Sequence, residues 1–201
     1  MTVMAADSGT FFRVRPTAMT GTEVNDTVRP LVRPSSSSTV SPRDDVISGF
    51  SDIAQAKDIV IECEARDLFD IAQQTERFVG FEIGADNPYR DTLHAFLLRY
   101  GSDGVNEIAL LLPFQSPAVQ AATIMYLGDA DKSRTAHERF RLAVSYLESE
   151  HPVVRDAVGS ALIDLDCELA VPVLAVAIEK EPLRSLKRNL EQARSYLKRP
   201  R

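Results

Sequence analysis

From Pro88 onward, apolar residues recur three and four positions apart in short runs separated by turns. In "PYRDTLHAFLLRYGSDGVNEIALLLP", Leu93, Phe96, Leu97 and Tyr100 make one stripe, and Val105, Ile108, Ala109 and Leu112 a second. That spacing predicts two helices, with the glycine-rich "GSDG" as the turn between them. "EHPVVRDAVGSALIDLDCELAVPVLAVAIEKEP", residues 150–182, repeats the plan. Arg155-Asp156 stands where Arg90-Asp91 stands. Val158, Ala161, Leu162 and Leu165 mark the first helix, and Val171, Leu174, Ala175 and Ile178 the second.

A further copy lies between them, in "SPAVQAATIMYLGDADKSRTAHERFRLAVSYLESE". Pro117, Val119, Ala122 and Leu127 match Pro152, Val154, Ala157 and Leu162. Phe140, Ala143, Val144 and Leu147 supply the second-helix face, after a longer connection, "GDADKSRT". Beyond Pro182, Leu186, Lys187, Leu190, Ala193 and Leu197 take the corresponding places in one closing helix. Each pair is too small to bury its apolar face alone, so neighbours must stack into a continuous core. The prolines fall in first turns, where no internal hydrogen bond is lost.

Upstream, Ser41 is placed to cap a helix, with Pro42 in its first turn and Asp44 and Asp45 at its positive end. Val46, Ile47, Phe50, Ile53 and Ala54 then share a helical stripe. The next stretch reads two ways. Ile59, Ile61, Cys63 and Ala65 alternate as in a strand, whereas Ile61, Ala65, Leu68, Phe69 and Ala72 follow helical spacing. No other segment offers a strand partner, which favours the helix. "GFEIGADNP" reads as a loop. Residues 1–43 lack periodicity, repeat Arg-Pro and end in "SSSSTVSP", the composition of a flexible leader.

The expected organisation is therefore a leader (1–43), an N-terminal helical segment (44–87) and stacked helix pairs with a closing helix (88–199), an all-α fold. The unit resembles the HEAT repeat, most closely in "HPVVRDAVGSALIDL…AVPVLAVAI": a proline opens the first helix, Val-Arg follows, and "AVPxL" begins the second. The second copy has Gln120 in the Arg place, the first keeps only Arg90, and the last only Lys187. The resemblance implies a short α-α superhelix. It also implies that Arg155 joins a ladder with acidic residues, for which Asp164 or Asp166 is available.

Composition narrows the chemistry. The chain has 201 residues, 44% of them hydrophobic, and no tryptophan, so the core must be built from Ala, Val, Leu and Ile. Its two cysteines, Cys63 and Cys167, read as buried free thiols. The longest apolar run, Leu169 to Ile178, is too short to span a bilayer and is interrupted by Pro172. The N-terminus lacks the apolar core of a secretory signal, so the expectation is a cytoplasmic protein without membrane insertion. No catalytic set stands out around the three histidines. HEAT-like deoxyhypusine hydroxylases hold a di-iron centre with several His-Glu pairs, and this chain has one, His137-Glu138. Neither a metal nor another cofactor is expected. HEAT-like alkylpurine glycosylases need a basic groove, whereas residues 44–182 carry 25 acidic and 11 basic side chains, so nucleic acid is not an expected partner.

Residues 183–201 reverse that balance, with seven basic side chains and one acidic. Lys187, Arg188, Arg194 and Lys198 form a candidate patch for docking a protein through charged surfaces, beside the plainer role of a solvated terminal cap. The function expected is a non-enzymatic interaction module or adaptor. Alternatives are an acidic immunity or antitoxin-type partner, a bilin-lyase-like accessory subunit, and a regulator that uses residues 1–43 as a secretion or targeting signal.

Overall fold

The computed structural model describes residues 45–81 and 87–199, so the leader and the cap at Ser41 lie outside the described residues. Within them the chain is all-α, with seven helices: α1 (Asp45–Phe78), α2 (Pro88–Leu111), α3 (Pro117–Asp129), α4 (Lys132–Ser145), α5 (Pro152–Leu165), α6 (Ala170–Lys180) and α7 (Arg184–Leu197). The part of α1 before Ile61 belongs to a separate unit and is a helix exposed from Gln55 to Val60. From Ile61 on, α1 settles the two-way reading. Ile61 and Ala65 are buried with Leu68, Phe69 and Ala72, whereas Ile59 and Cys63 are exposed. A strand would have put all four alternating residues on one face. The expected burial of the thiols is corrected with it: Cys63 lies about 200° round the helix from Ile61, on the solvent side, and Cys167 is half-buried.

α2 is two helices in one. At Gly101 (φ 56°, ψ −130°) the chain turns sharply, so residues 88–100 and 102–111 point different ways. A positive φ of this kind strains any residue with a Cβ, and glycine removes the strain. Asp166 (φ 51°, ψ 44°) makes the equivalent turn after α5 in a left-handed conformation that Asp tolerates better than most residues. The first halves of the pairs stack in a row. α3 lies between α2 and α5, and α5 between α3 and α7, while α4 packs on α2 and α5 and α6 packs on α7.

The helix starts follow local rules. Asn87 Oδ1 accepts from Tyr89 N (3.0 Å), and Ser116 Oγ accepts from Val119 N (3.2 Å). Each cap precedes a proline at the first helical position. α3 carries no charge before Asp129 and is buried almost all round, as an apolar helix between neighbours should be. Its contact with α5 is the most extensive in the fold. A Cβ built on Gly128 would stand 2.5 Å from Ala161 Cα and 2.8 Å from Ala161 O, so the two backbones meet where neither can carry a larger side chain.

Two substitutions check this packing by urea denaturation. Leu162 is fully buried, and Leu162→Ala should cost about 2–5 kcal/mol. Gly128→Ala should cost about 1–3 kcal/mol, although alanine is the better helix former, because backbone atoms of α5 would have to move. Glu179→Ala, on an exposed position, should leave the midpoint nearly unchanged.

Candidate functional site

α7 is amphipathic. Leu186, Leu190, Ala193 and Leu197 are buried, and of the charged residues on the remaining surface all but Glu191 are basic. Lys187, Arg194 and Lys198 are spaced by seven and four residues, which returns them to one side of the helix. Lys187 and Arg194 are half-buried, and Lys198 is exposed. Arg188 stands about 100° round from Lys187, with Arg184 on the outward side. None of the side chains of Arg184, Lys187, Arg188, Arg194 and Lys198 forms a salt bridge or hydrogen bond with another described residue.

Most cations earlier in the chain are tied down. Arg66 pairs with Glu62, Arg99 with Glu64 (2.9 Å), and Lys180 with Glu148 (2.6 Å). Arg90 bonds Asp129 through Nε (2.8 Å) and again through Nη2. These pairs are on the surface, and each contributes little to stability. The pair between Arg155 and Glu181 is different: its side chains are 12% and 2% exposed, and the guanidinium meets both carboxylate oxygens at 2.8 and 2.9 Å. Arg155 also donates to Ser149 O (2.7 Å), and Glu181 accepts from Leu183 N (3.0 Å).

The arginine therefore pairs with Glu181 rather than with Asp164 or Asp166. Those two aspartates lie at the far end of α5, about 14–17 Å along the axis from Arg155. α6 runs back and brings Glu181 to the start of α5. The Arg155 guanidinium holds the Glu181 carboxyl below its ordinary range, chiefly by their hydrogen bond, against the opposing effect of burial.

Arg139 is a functional-looking side chain that pattern reading passes over. It is fully buried, and no described carboxylate forms a salt bridge with it. Its guanidinium donates to the carbonyls of Leu127, Ala130 (2.9 Å), Asp131 and Thr135 (3.3 Å). These include acceptors at the C-terminal end of α3, where the helix dipole favours a cation. Burial lowers its pKa, and the charges of Asp131 and Glu138 oppose that shift. Its role is to close the connection between α3 and α4, and α4 begins within that connection, at Lys132, with a break at Thr135. The available signal was positional: Ala136, Arg139 and Ala143 fall three and four apart on the core stripe.

A second polar cluster joins α2 to α3. Tyr89 Oη and Thr123 Oγ1 share a 2.5 Å hydrogen bond, Asn87 Nδ2 donates to Tyr126 Oη (2.9 Å), and Thr123 Oγ1 donates to Val119 O (2.7 Å). Burial pushes the Tyr89 phenol up. His137 is exposed, and Glu138 accepts from Ser102 Oγ (3.2 Å). Among the described residues no group of three or more His, Cys, Asp or Glu side chains is placed to share a metal ion, and no helix is long and apolar enough to cross a membrane. No family model, curated protein or solved structure matches the chain.

The buried pair gives a check on the geometry. Arg155→Met strands Glu181 and should cost about 3–5 kcal/mol, and adding Glu181→Met should recover part of that loss. Because folding lowers the Glu181 pKa, its contribution is complete above the unfolded value of about 4.3. It is lost as pH falls through the lower folded value. Stability measured between pH 7 and pH 3 should therefore fall less steeply in Glu181→Gln than in the wild type.

Proposed function

We propose that the chain is a non-enzymatic protein-interaction module of the HEAT-like solenoid type, docking a partner with an acidic surface against α7. The observation that carries this reading is the contrast in how cations are used. Arg66, Arg90, Arg99, Arg139, Arg155 and Lys180 are engaged within the fold, and the earlier cations without a described side-chain partner, Arg77, Arg134 and Arg141, are scattered, whereas five cations gathered on α7 and its C-terminal edge have none. Unpaired cations on one helix give an oriented positive field that raises the encounter rate with an acidic surface and disfavours basic ones. The stacked helix pairs support the solenoid assignment. They hold α7 on a continuous core, so its surface residues can change without disturbing the fold.

Affinity purification at low salt, with the wild type beside Lys187→Glu, Arg188→Glu and Arg194→Glu combined, tests the proposal. The reversed protein should keep its helical circular dichroism and lose an acidic partner on the order of tenfold or more. The wild-type complex should weaken as ionic strength rises, because exposed charges are screened beyond about 8 Å at physiological salt. Retention of every wild-type partner by the reversed protein at low salt would reduce the basic face to a solubilising one.

A further inference from the structure

α4 packs on α2, and a groove opens between α4 and the second half of α2. Ser102 Oγ donates to Glu138 Oε1 (3.2 Å), which ties these two segments in register 36 residues apart. At that separation Ala109 falls opposite Ser145, and neither side chain is large enough to fill the space between them. A cavity of about 450 Å³ results, bounded also by Pro113, Leu142, Tyr146 and Glu148. Leu142 is buried and Tyr146 half-buried, so the floor is apolar. Leu110 and Phe114, one residue on from Ala109 and Pro113, are exposed. The other rim reads Arg141, Ser145 and Glu148, four and three residues apart and all exposed.

We propose that this groove is the docking site of the chain's own segment from Asp7 to Arg13, which lies outside the described residues, with Phe11 and Phe12 as its anchors. They are the only aromatic residues among residues 1–43. A groove bordered by Tyr146 and Phe114 favours such anchors, because ring contacts add to apolar burial. Charge sets the direction. Asp7 is the one acid among residues 1–22, and Arg13 follows the phenylalanines. A segment running parallel to α4 brings Asp7 toward Arg141 and Arg13 toward Glu148. Lys180 takes Oε1 of Glu148, which leaves Oε2 to the arginine. The 29 residues from 16 to 44 span up to about 95 Å when extended, so reach imposes no limit. An open groove holds a free peptide weakly, but tethering supplies an effective concentration of about 1 mM. A segment with an intrinsic Kd of about 0.1 mM is then docked roughly nine-tenths of the time. The inference is independent of the surface of α7.

Trypsin reads this docking directly. Of the five arginines among residues 1–43, three precede proline, so only Arg13 and Arg43 offer cleavable bonds. Cleavage after Arg13 would be timed by mass spectrometry in the full chain and in a synthetic peptide of residues 7–18. The expected rate in the chain is about tenfold lower, whatever the protein concentration. Ser145→Trp fills the groove from an exposed position and should restore the peptide's rate, with helical circular dichroism and cleavage after Arg43 unchanged. Glu148→Lys should restore it in part, by roughly threefold. A benzophenone photo-crosslinker in place of Phe12 should join α4 or residues 113–114. Equal rates in chain and peptide would overturn the proposal and leave the groove to a partner protein. Protection that survives both Ser145→Trp and Glu148→Lys would place the segment elsewhere and overturn the groove. Protection that fades on dilution would make the occupant the same segment of a second copy, and overturn the intramolecular contact.

Discussion

The close crossing of α3 and α5 at Gly128 and Ala161 sets the geometry on which the other contacts depend. With no side chain at one position and a single methyl at the other, the two backbones come near, and Val119, Leu127, Val158 and Leu162 of the two helices are fully buried. α3 is then enclosed by α2, α4 and α5, and its almost uncharged sequence has nowhere to be solvated. Enclosure raises a second problem at its C-terminal end, where carbonyl groups lose water as well as helical partners. Arg139 answers it by donating to those carbonyls from α4, so a buried charge is stabilised by the same groups that it satisfies.

The three helix pairs reverse direction by different means. Gly101 does it with a positive φ and Asp166 with a left-handed cap, and the connection after α3 does it with extra residues held by Arg139. Polar side chains then tie neighbouring pairs together at chosen points: Asn87 and Tyr89 reach Tyr126 and Thr123, Arg90 reaches Asp129, and Arg155 reaches Glu181 within its own pair. The apolar stack alone would tolerate sliding of one helix along another. Hydrogen bonds with fixed donors and acceptors hold the register, with the buried Arg155–Glu181 pair the most demanding in its geometry.

This use of charge also shapes the surface. The acidic helices absorb many of their cations into internal pairs, and α7 is left with a row of cations, Lys187, Arg194 and Lys198, on one side of a packed helix. Positioning by a packed helix lowers the entropy lost when such groups bind, which separates an oriented row from the same residues on a loop.

Periodicity alone revealed the helical character of the chain, the inward stripes at Leu93, Val158, Leu174 and Leu190, and the cationic row of α7, because each is a repeating local pattern on a 3.6-residue helix. Local chemistry also marked the prolines that open α2, α3 and α5, whereas the caps at Asn87 and Ser116 came from the fold. The alternation at Ile59 to Ala65 stayed open because a short apolar run satisfies both periods, and only packing on the core side of Ile61 and Ala65 decided it. The partner of Arg155 depended on which helix returned beside it, a distance between residues 26 apart that spacing does not encode. The burial of Arg139 and the exposure of Cys63 likewise follow from how neighbours cover each face. A sequence specifies which side of a helix is apolar, but tertiary packing decides what lies against it.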